Sequence, residues 1–418
     1  MPTRRSVFLI ASAVGCLALA GCVSSNSPAA SSSTSATDNA SSSASATAGG
    51  STGPAAGGSL VIGVVMAKSG FLGPIDLPVL NTLALEVEKV NAAGGIGGQK
   101  VELKVMDTQS KVDTYASLAT QALDQGAKVL VVSCDYDITA PAALVAEAKN
   151  VLNISCAGDP IYGPAGGLKH GFSMGNGTPG VASVEAEFSY SKGWKNAVLL
   201  TDSTLKYTQN ECAIFAKRYE QLGGKVLAKY TYKQGDTVTE TVSKIANGAK
   251  ADVIVNCGYT PGGVEPAKEL RAAGIDTPII SGFGMDGDFW TGAVPGLKDY
   301  YVADYAAIHG DDPDPAVNET VKAYQARYGE LPNSSGFVVG PAILQALKAA
   351  YDKAQSWDGD KLTTAMESFK DVPLLPGPTS FTKDLHIAVD RPVRIEQVVD
   401  GKLKFVTRMA PEQVVFSG

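Results

Sequence analysis

Ser59-Leu60-Val61-Ile62-Gly63-Val64-Val65-Met66 opens the stretch that decides the fold. It leads through a run with apolar residues at helical spacing (77–91) to Asn91-Ala92-Ala93-Gly94-Gly95-Ile96-Gly97-Gly98, and then to Lys100-Val101-Glu102-Leu103-Lys104-Val105-Met106. The first eight residues are an apolar, β-branched run, which reads as a strand buried on both faces. The middle run stops at a glycine pair, the residue type that lets a helix end in a left-handed turn. The last run is again a strand. Strand, helix, strand is the crossover that a parallel pair requires.

The same alternation extends outward. Residues 114–125 read as a helix stopped by Gly126, 127–133 as a strand, 140–150 as a helix and 151–155 as a strand. A Gly- and Pro-rich break covers 158–180. The pattern then restarts, with helices at 181–192, 209–222, 237–247 and 264–273 and strands at 196–201, 225–232, 251–256 and 277–281. Such alternation implies α/β architecture with parallel sheets covered on both faces, and two runs about a break imply two doubly wound lobes. Beyond about residue 305 the pattern changes to helices at 315–328 and 336–354, followed by short strands.

The first 58 residues are not part of this body. Arg4 and Arg5 precede an apolar stretch (7–20) of signal-peptide length, shorter than a permanent membrane span. It ends in Leu19-Ala20-Gly21-Cys22, which reads as a lipoprotein-processing site. Residues 1–21 are thus the expected signal peptide and Cys22 the lipidated residue. The arginine pair is compatible with either Sec or twin-arginine export. Residues 22–58, nearly all Ser, Ala, Thr and Gly, read as a disordered tether because they bury too little to offset the entropy of ordering. The net charge of −7 argues against nucleic acid as a partner. No later segment is long and apolar enough to cross a bilayer. The remaining cysteines, Cys134, Cys156, Cys212 and Cys257, suggest disulfides in an exported chain, with three possible pairings, and they lack zinc-type spacing.

With Ser69-Gly70, the Asn91–Gly98 run, Asp107, Gly235-Asp236, Ala251-Asp252-Val253 and Leu270-Arg271-Ala272-Ala273-Gly274-Ile275 in this order, the chain resembles the type I periplasmic binding proteins. Within them it is most similar to the branched-chain amino-acid-binding group of ABC transporter substrate-binding lipoproteins. The resemblance covers about residues 59–410. It implies two lobes joined by three hinge crossovers, near 173–178, 302–306 and 377–381, with a solute bound between them. The lobes are expected to comprise 59–177 plus 306–378 and 178–305 plus 379–418. It also implies an ABC importer permease as partner, a lipid-anchored location on the outer face of the cell membrane or in the periplasm, no cofactor and no metal. Pairing within lobes would leave such a cleft free to open. That favours Cys134 with Cys156, and Cys212 with Cys257, although the second pair joins a helix to a strand end, where geometry is demanding.

In open α/β sheets, ligands sit beyond the carboxyl ends of strands. The candidate contacts are therefore Ser69, Gly70 and Phe71, then Asp135 and Tyr136, then Ala157 and Asp159 in the first lobe. In the second they are Tyr207, Tyr259 and Asp286. Cys134, Asp137 and Gly158 lie among them. Asp135 and Asp159 stand where amino-acid binders present Ser, Thr or small residues. Carboxylates there repel a ligand carboxylate, so the expected solute is amine- or hydroxyl-bearing. Asp137, just before a helix, has helix capping as its ordinary alternative.

Three decoys are set aside. Gly171-Phe172-Ser173-Met174-Gly175 fits a hydrolase elbow, but a Gly-rich loop precedes Ser173 and Asn176-Gly177-Thr178-Pro179 follows it. Gly282-Phe283-Gly284-Met285-Asp286-Gly287 fits a dinucleotide fingerprint but reads as a strand-end loop facing the cleft. Asp311-Asp312-Pro313-Asp314 reads as a solvated turn. The expected function is non-enzymatic solute capture. The alternatives are a ligand sensor of the same fold and a serine hydrolase using Ser173.

Overall fold

The computed structural model describes residues 58–417. The expected signal peptide, Cys22 and nearly all of the tether therefore lie outside the described residues. Two sheets organise the chain. The first contains β1 (Leu60–Met66), β2 (Val101–Asp107), β3 (Val129–Val132), β4 (Leu152–Ser155) and β5 (Gly171–Ser173), in the order β2-β1-β3-β4-β5 and all parallel. The second contains β6 (Asn196–Asp202), β7 (Lys225–Tyr232), β8 (Val253–Cys257), β9 (Ile279–Ser281) and β10 (Tyr300–Asp304). Its parallel part runs β7-β6-β8-β9-β10, the order of the first sheet repeated. β3, β8 and β9 are buried along their whole length, as continuous apolar runs between two helical layers must be.

The connecting helices are α1 (Gly73–Ala92), α2 (Tyr115–Asp124) and α3 (Tyr136–Glu147) in the first half. In the second they are α4 (Thr178–Ser191), α5 (Lys206–Gln221), α6 (Thr239–Asn247) and α7 (Val264–Ala272). α1 starts at Gly73, four residues before the expected position. Pro74 occupies the first turn, where no N–H is needed, and Pro78 is carried inside the helix.

After β10 the chain returns to the first half. α8 (Pro315–Tyr328) and α9 (Val339–Ala354) pack on α1, and α10 (Gly359–Glu367) packs on α9 and β4. The approach of α9 to α1 is close: a Cβ on Gly340 would lie 2.2 Å from Thr82 Oγ1 and 2.4 Å from Leu83 N. A hairpin of β11 (Val372–Leu374) and β12 (Gly377–Thr379) follows. The chain then re-enters the second sheet as β13 (Val393–Val399), antiparallel to β10, and β14 (Lys402–Met409).

The chain thus passes between halves three times, at 174–177, 305–314 and 380–392, the last further along than expected. The passages are tied to one another. Arg391, fully buried, donates to the carbonyls of Met174 (2.7 Å) and Gly175 (3.0 Å) and to Thr379 Oγ1 (2.5 Å). Tyr305 donates its hydroxyl to Asn176 O (3.3 Å).

One expectation fails here. Asp311-Asp312-Pro313-Asp314 is not a solvated turn: Asp312 is buried, and Arg394 on β13 grips its carboxylate through two nitrogens at 3.0 and 3.1 Å. Such planar two-point pairing is what guanidinium and carboxylate do best when desolvated. Among the described residues no helix is long and apolar enough to cross a membrane.

Candidate ligand-binding site

In both sheets the strand order reverses beside the first strand, between β1 and β3 and between β6 and β8. Crevices open at such switch points beyond the strand ends. Asp135 follows β3, Tyr207 lies in the first turn of α5 after β6, and Tyr259 follows β8. These positions meet. Residues 134–137, Gly158, Asp159, Ile161 and Lys206-Tyr207 enclose a cavity of ≈ 10 Å³. Tyr259 stacks edge-on against Tyr207, with ring centroids 6.3 Å apart.

The enclosure is built from below by Asp76, which the sequence reading missed. It sits in the first turn of α1 and accepts from Ala67 N (2.9 Å), Ser133 Oγ (2.5 Å) and Cys134 N (3.2 Å). One carboxylate thereby fixes the ends of β1 and β3 against the helix. Burial lifts Asp76 to about 6, against the pull of those donors. The available signal was a lone acid in the apolar run Phe71 to Leu80, hidden because the helix was expected to start one residue later.

Two disulfides brace the walls. Cys134 bonds to Cys156 and Cys212 to Cys257, with Cα–Cα separations of 4.4 and 5.7 Å. The first joins the ends of β3 and β4 directly before Asp135 and Ala157. The second ties α5 to the end of β8, two residues before Tyr259. Neither crosses between the halves.

The aspartates divide by task. Asp137 neither caps its own helix nor stays free: its carboxylate accepts from Lys206 N (2.7 Å) and Tyr207 N (3.4 Å), capping α5 from the opposite half. Asp159 accepts from Ile161 N (3.0 Å) and from the side-chain amide of Asn210, again across the cleft. Gly158 O accepts from Thr178 N (2.7 Å). A Cβ on Gly158 would sit 2.9 Å from Thr178 Oγ1 and 3.1 Å from the Tyr207 ring, so only glycine fits. These bonds hold the halves closed.

Asp135 is different. It is buried, and its Oδ1 meets no donor. Burial, and then the charge of Asp137, push it up to about 7, against the pull of the backbone N–H groups of Asp137 and Ile138 at the start of α3. In the second half, the buried hydroxyl of Tyr259 also has no partner. Burial raises that hydroxyl well above its ordinary value, and the charge of Asp135 adds to the effect.

Tyr136 also lines the cavity; the remaining expected contacts lie elsewhere or serve the frame. Ser69, Gly70 and Phe71 are exposed, and Ser69 O accepts from Ser110 Oγ (2.8 Å). Tyr136 donates to Gly166 O (3.4 Å). Ala157 O accepts from Ser173 Oγ (2.6 Å). Asp286 is buried and accepts from Ser334 Oγ (2.5 Å) and Ser335 N (2.7 Å). Ser173 is the last residue of a short strand, β5, contrary to the loop expected there. Its hydroxyl is nonetheless bound to main chain on both sides, donating to Ala157 O and accepting from Gly175 N (3.1 Å). Among the described residues no group of three or more His, Cys, Asp or Glu is arranged to hold a metal ion.

Two repeated parallel sheets, three tied passages and an enclosure shared between the halves define a two-lobed α/β protein of the cleft-closing, solute-binding class. The chain belongs to the periplasmic binding protein family, whose sequence pattern matches residues 59–402. It is 22% identical over 305 residues to a Leu/Ile/Val-binding protein homologue of Brucella melitensis, covering 73% of this chain and 82% of that one. It is 23% identical to the Leu/Ile/Val-binding protein BraC3 of Rhizobium johnstonii, covering 78% and 89%. Solved structures with the same fold include the leucine-binding protein LivK of Thermotoga maritima (TM-score 0.74, 21% identity, 84% of this chain and 99% of that one). A solute-binding protein of Rhodopseudomonas palustris in complex with benzoate is also similar (TM-score 0.70, 19% identity, 84% and 97%).

Proposed function

We propose that this chain is an extracytoplasmic solute-binding protein whose halves close on a small polar solute bearing an amine or hydroxyl donor. The observation that carries this reading is Asp135. A buried acceptor without a donor is costly, and Asp135 sits where the two halves meet; Tyr259, packed on Tyr207 of the cavity, carries an equally unpartnered hydroxyl whose titration feels the charge of Asp135. A solute that donates to both stabilises the closed state by contacts the open state lacks, which is the only way a ligand can drive closure. An ordinary branched-chain amino acid brings a carboxylate into a wall that already holds Asp135, Asp137 and Asp159. The relatives that bind Leu, Ile or Val share about a fifth of their residues with this chain, and a benzoate binder is nearly as similar. The fold therefore does not dictate the solute.

The moving bodies in this reading are 59–177 with 306–378 and 178–305 with 379–418. The packing of α9 on α1 and the pairing of β13 with β10 support that division. Cys22 carries the lipid that keeps the protein at the membrane, and the permease of an ABC importer receives the solute. Calorimetry against leucine, isoleucine and valine beside polyamines, amides, nucleosides and polyols tests the ligand class. Binding is expected in the second group and lost in Asp135→Ala. Tight leucine binding that survives Asp135→Ala and Asp159→Ala would sink the reading.

A further inference from the structure

The enclosed cavity of ≈ 10 Å³ has room for about one water. An organic solute gripped at Asp135 must therefore place most of its atoms elsewhere in the closed state. The adjoining space is a groove of ≈ 570 Å³ that shares Asp159, Ile161 and Lys206 with the cavity. The contact between Asp159 and Asn210 stands at the boundary of the two spaces.

The groove has a consistent construction. One wall is a single face of α5, with Lys206, Gln209, Asn210, Ala213 and Ile214 at helical spacing. The polar members of that stripe lie in the first turn, beside the cavity, and the apolar members lie further away. Ile161 faces them from the first half, and Pro179 of α4 contributes from the second. Phe416 lines it too. The segment that carries Phe416 is fixed: Val415 N donates to Ser183 Oγ (3.1 Å), and Lys217 Nζ donates to Phe416 O (3.0 Å). Thr178, buried and with its hydroxyl unpartnered, stands at the junction, next to Gly158 of the cavity and facing the groove.

We infer that this groove is the outer compartment of the ligand site and holds the apolar portion of a solute whose donor head is bound at Asp135. The ligand class is an amphipathic amine, with a protonated or hydrogen-bond-donating head and an alkyl or aryl tail. The polarity gradient along α5 matches such a molecule end to end. The inference rests on the reading of Asp135 given above and adds where the rest of the solute goes.

The test is calorimetric titration of the purified protein with n-butylamine, n-hexylamine and n-octylamine, with leucine alongside. Affinity is expected to rise about fourfold per methylene, as burial of each CH₂ implies. In Ala213→Phe, a change at an exposed position that fills the groove, the rise with chain length should disappear. In Asp135→Asn all three amines should weaken by a common factor, leaving the slope intact. Amine affinity independent of chain length in the unmodified protein overturns the groove assignment while leaving the role of Asp135 standing. So does a slope that persists in Ala213→Phe. Failure of every amine to bind overturns the groove assignment, and the reading of Asp135 falls with it only if amides, nucleosides and polyols fail to bind as well.

Discussion

Asp135 owes its role to what surrounds it rather than to its type. Asp137 and Asp159 are the same residue, yet each accepts from a donor of the opposite half, and of the three Asp135 alone keeps a buried oxygen without a donor. Its folded-state value of about 7 lies above the ordinary 3.8. The stability linked to it is therefore complete below about pH 4 and lost as pH rises through 7. In solute-free protein, Asp135→Asn should raise stability at pH 8 by about 2–4 kcal/mol and flatten the pH dependence between 5 and 8, read by urea denaturation. The same substitution should weaken solute binding by about 30-fold or more, since a buried charge-assisted partner is lost. Increased affinity in Asp135→Asn would contradict the assignment.

The elements show what a sequence can and cannot declare. β1, β2 and α1 are legible because their signals are local: an apolar run, a helical period, a glycine stop. The helix starts four residues earlier than its spacing suggests, because Pro74 looks like a breaker and is in fact tolerated in a first turn. The short α10 was missed altogether. Lys206 N, which Asp137 accepts from, and Arg394, which grips Asp312, lie 69 and 82 residues away along the chain, and no spacing rule reaches that far. Of the site, the positions after β3, β4, β6 and β8 were legible from topology. The division of labour among the aspartates was not, because it depends on how the halves meet. Two substitutions probe the packing. Gly340→Ala should cost about 1–3 kcal/mol, because the added methyl collides with the α1 backbone at Leu83 N and Val79 O as well as with Thr82 Oγ1. Arg391→Ala should cost about 3 kcal/mol or more, leaving the carbonyls of Met174 and Gly175 without their donor. Both are read from denaturation midpoints. Unchanged midpoints would show that the passages and the α1–α9 contact are looser than described.

At the scale of the whole molecule, the second half carries a buried acidic cluster at the point where the chain leaves for the first. Asp286, Asp304 and Glu396 are fully buried, and neither oxygen of Asp304 or Glu396 meets a donor other than a shared proton. Burial raises all three, Asp286 to about 6 and the others well above their ordinary values. Asp311 and Asp312 add negative charge near Glu396, and the one nearby cation on β13, Arg394, is committed to Asp312. Raised carboxylates favour the folded state below about pH 4 and lose that contribution as pH climbs through their folded values. Stability should thus fall from pH 6 toward pH 9, and Asp304→Asn should recover about 1–3 kcal/mol at the upper end. A flat profile would mean the cluster is ionised and solvated. Outside the described residues, Cys22→Ser should move the protein from the membrane to the soluble fraction. The claim on which the account turns, capture of a donor-bearing solute at Asp135, is tested most directly by native mass spectrometry of protein purified without denaturation. A retained small molecule with an amine or several hydroxyls is expected on the unmodified protein and should be absent from Asp135→Ala. Leucine, isoleucine or valine retained equally by both would contradict it.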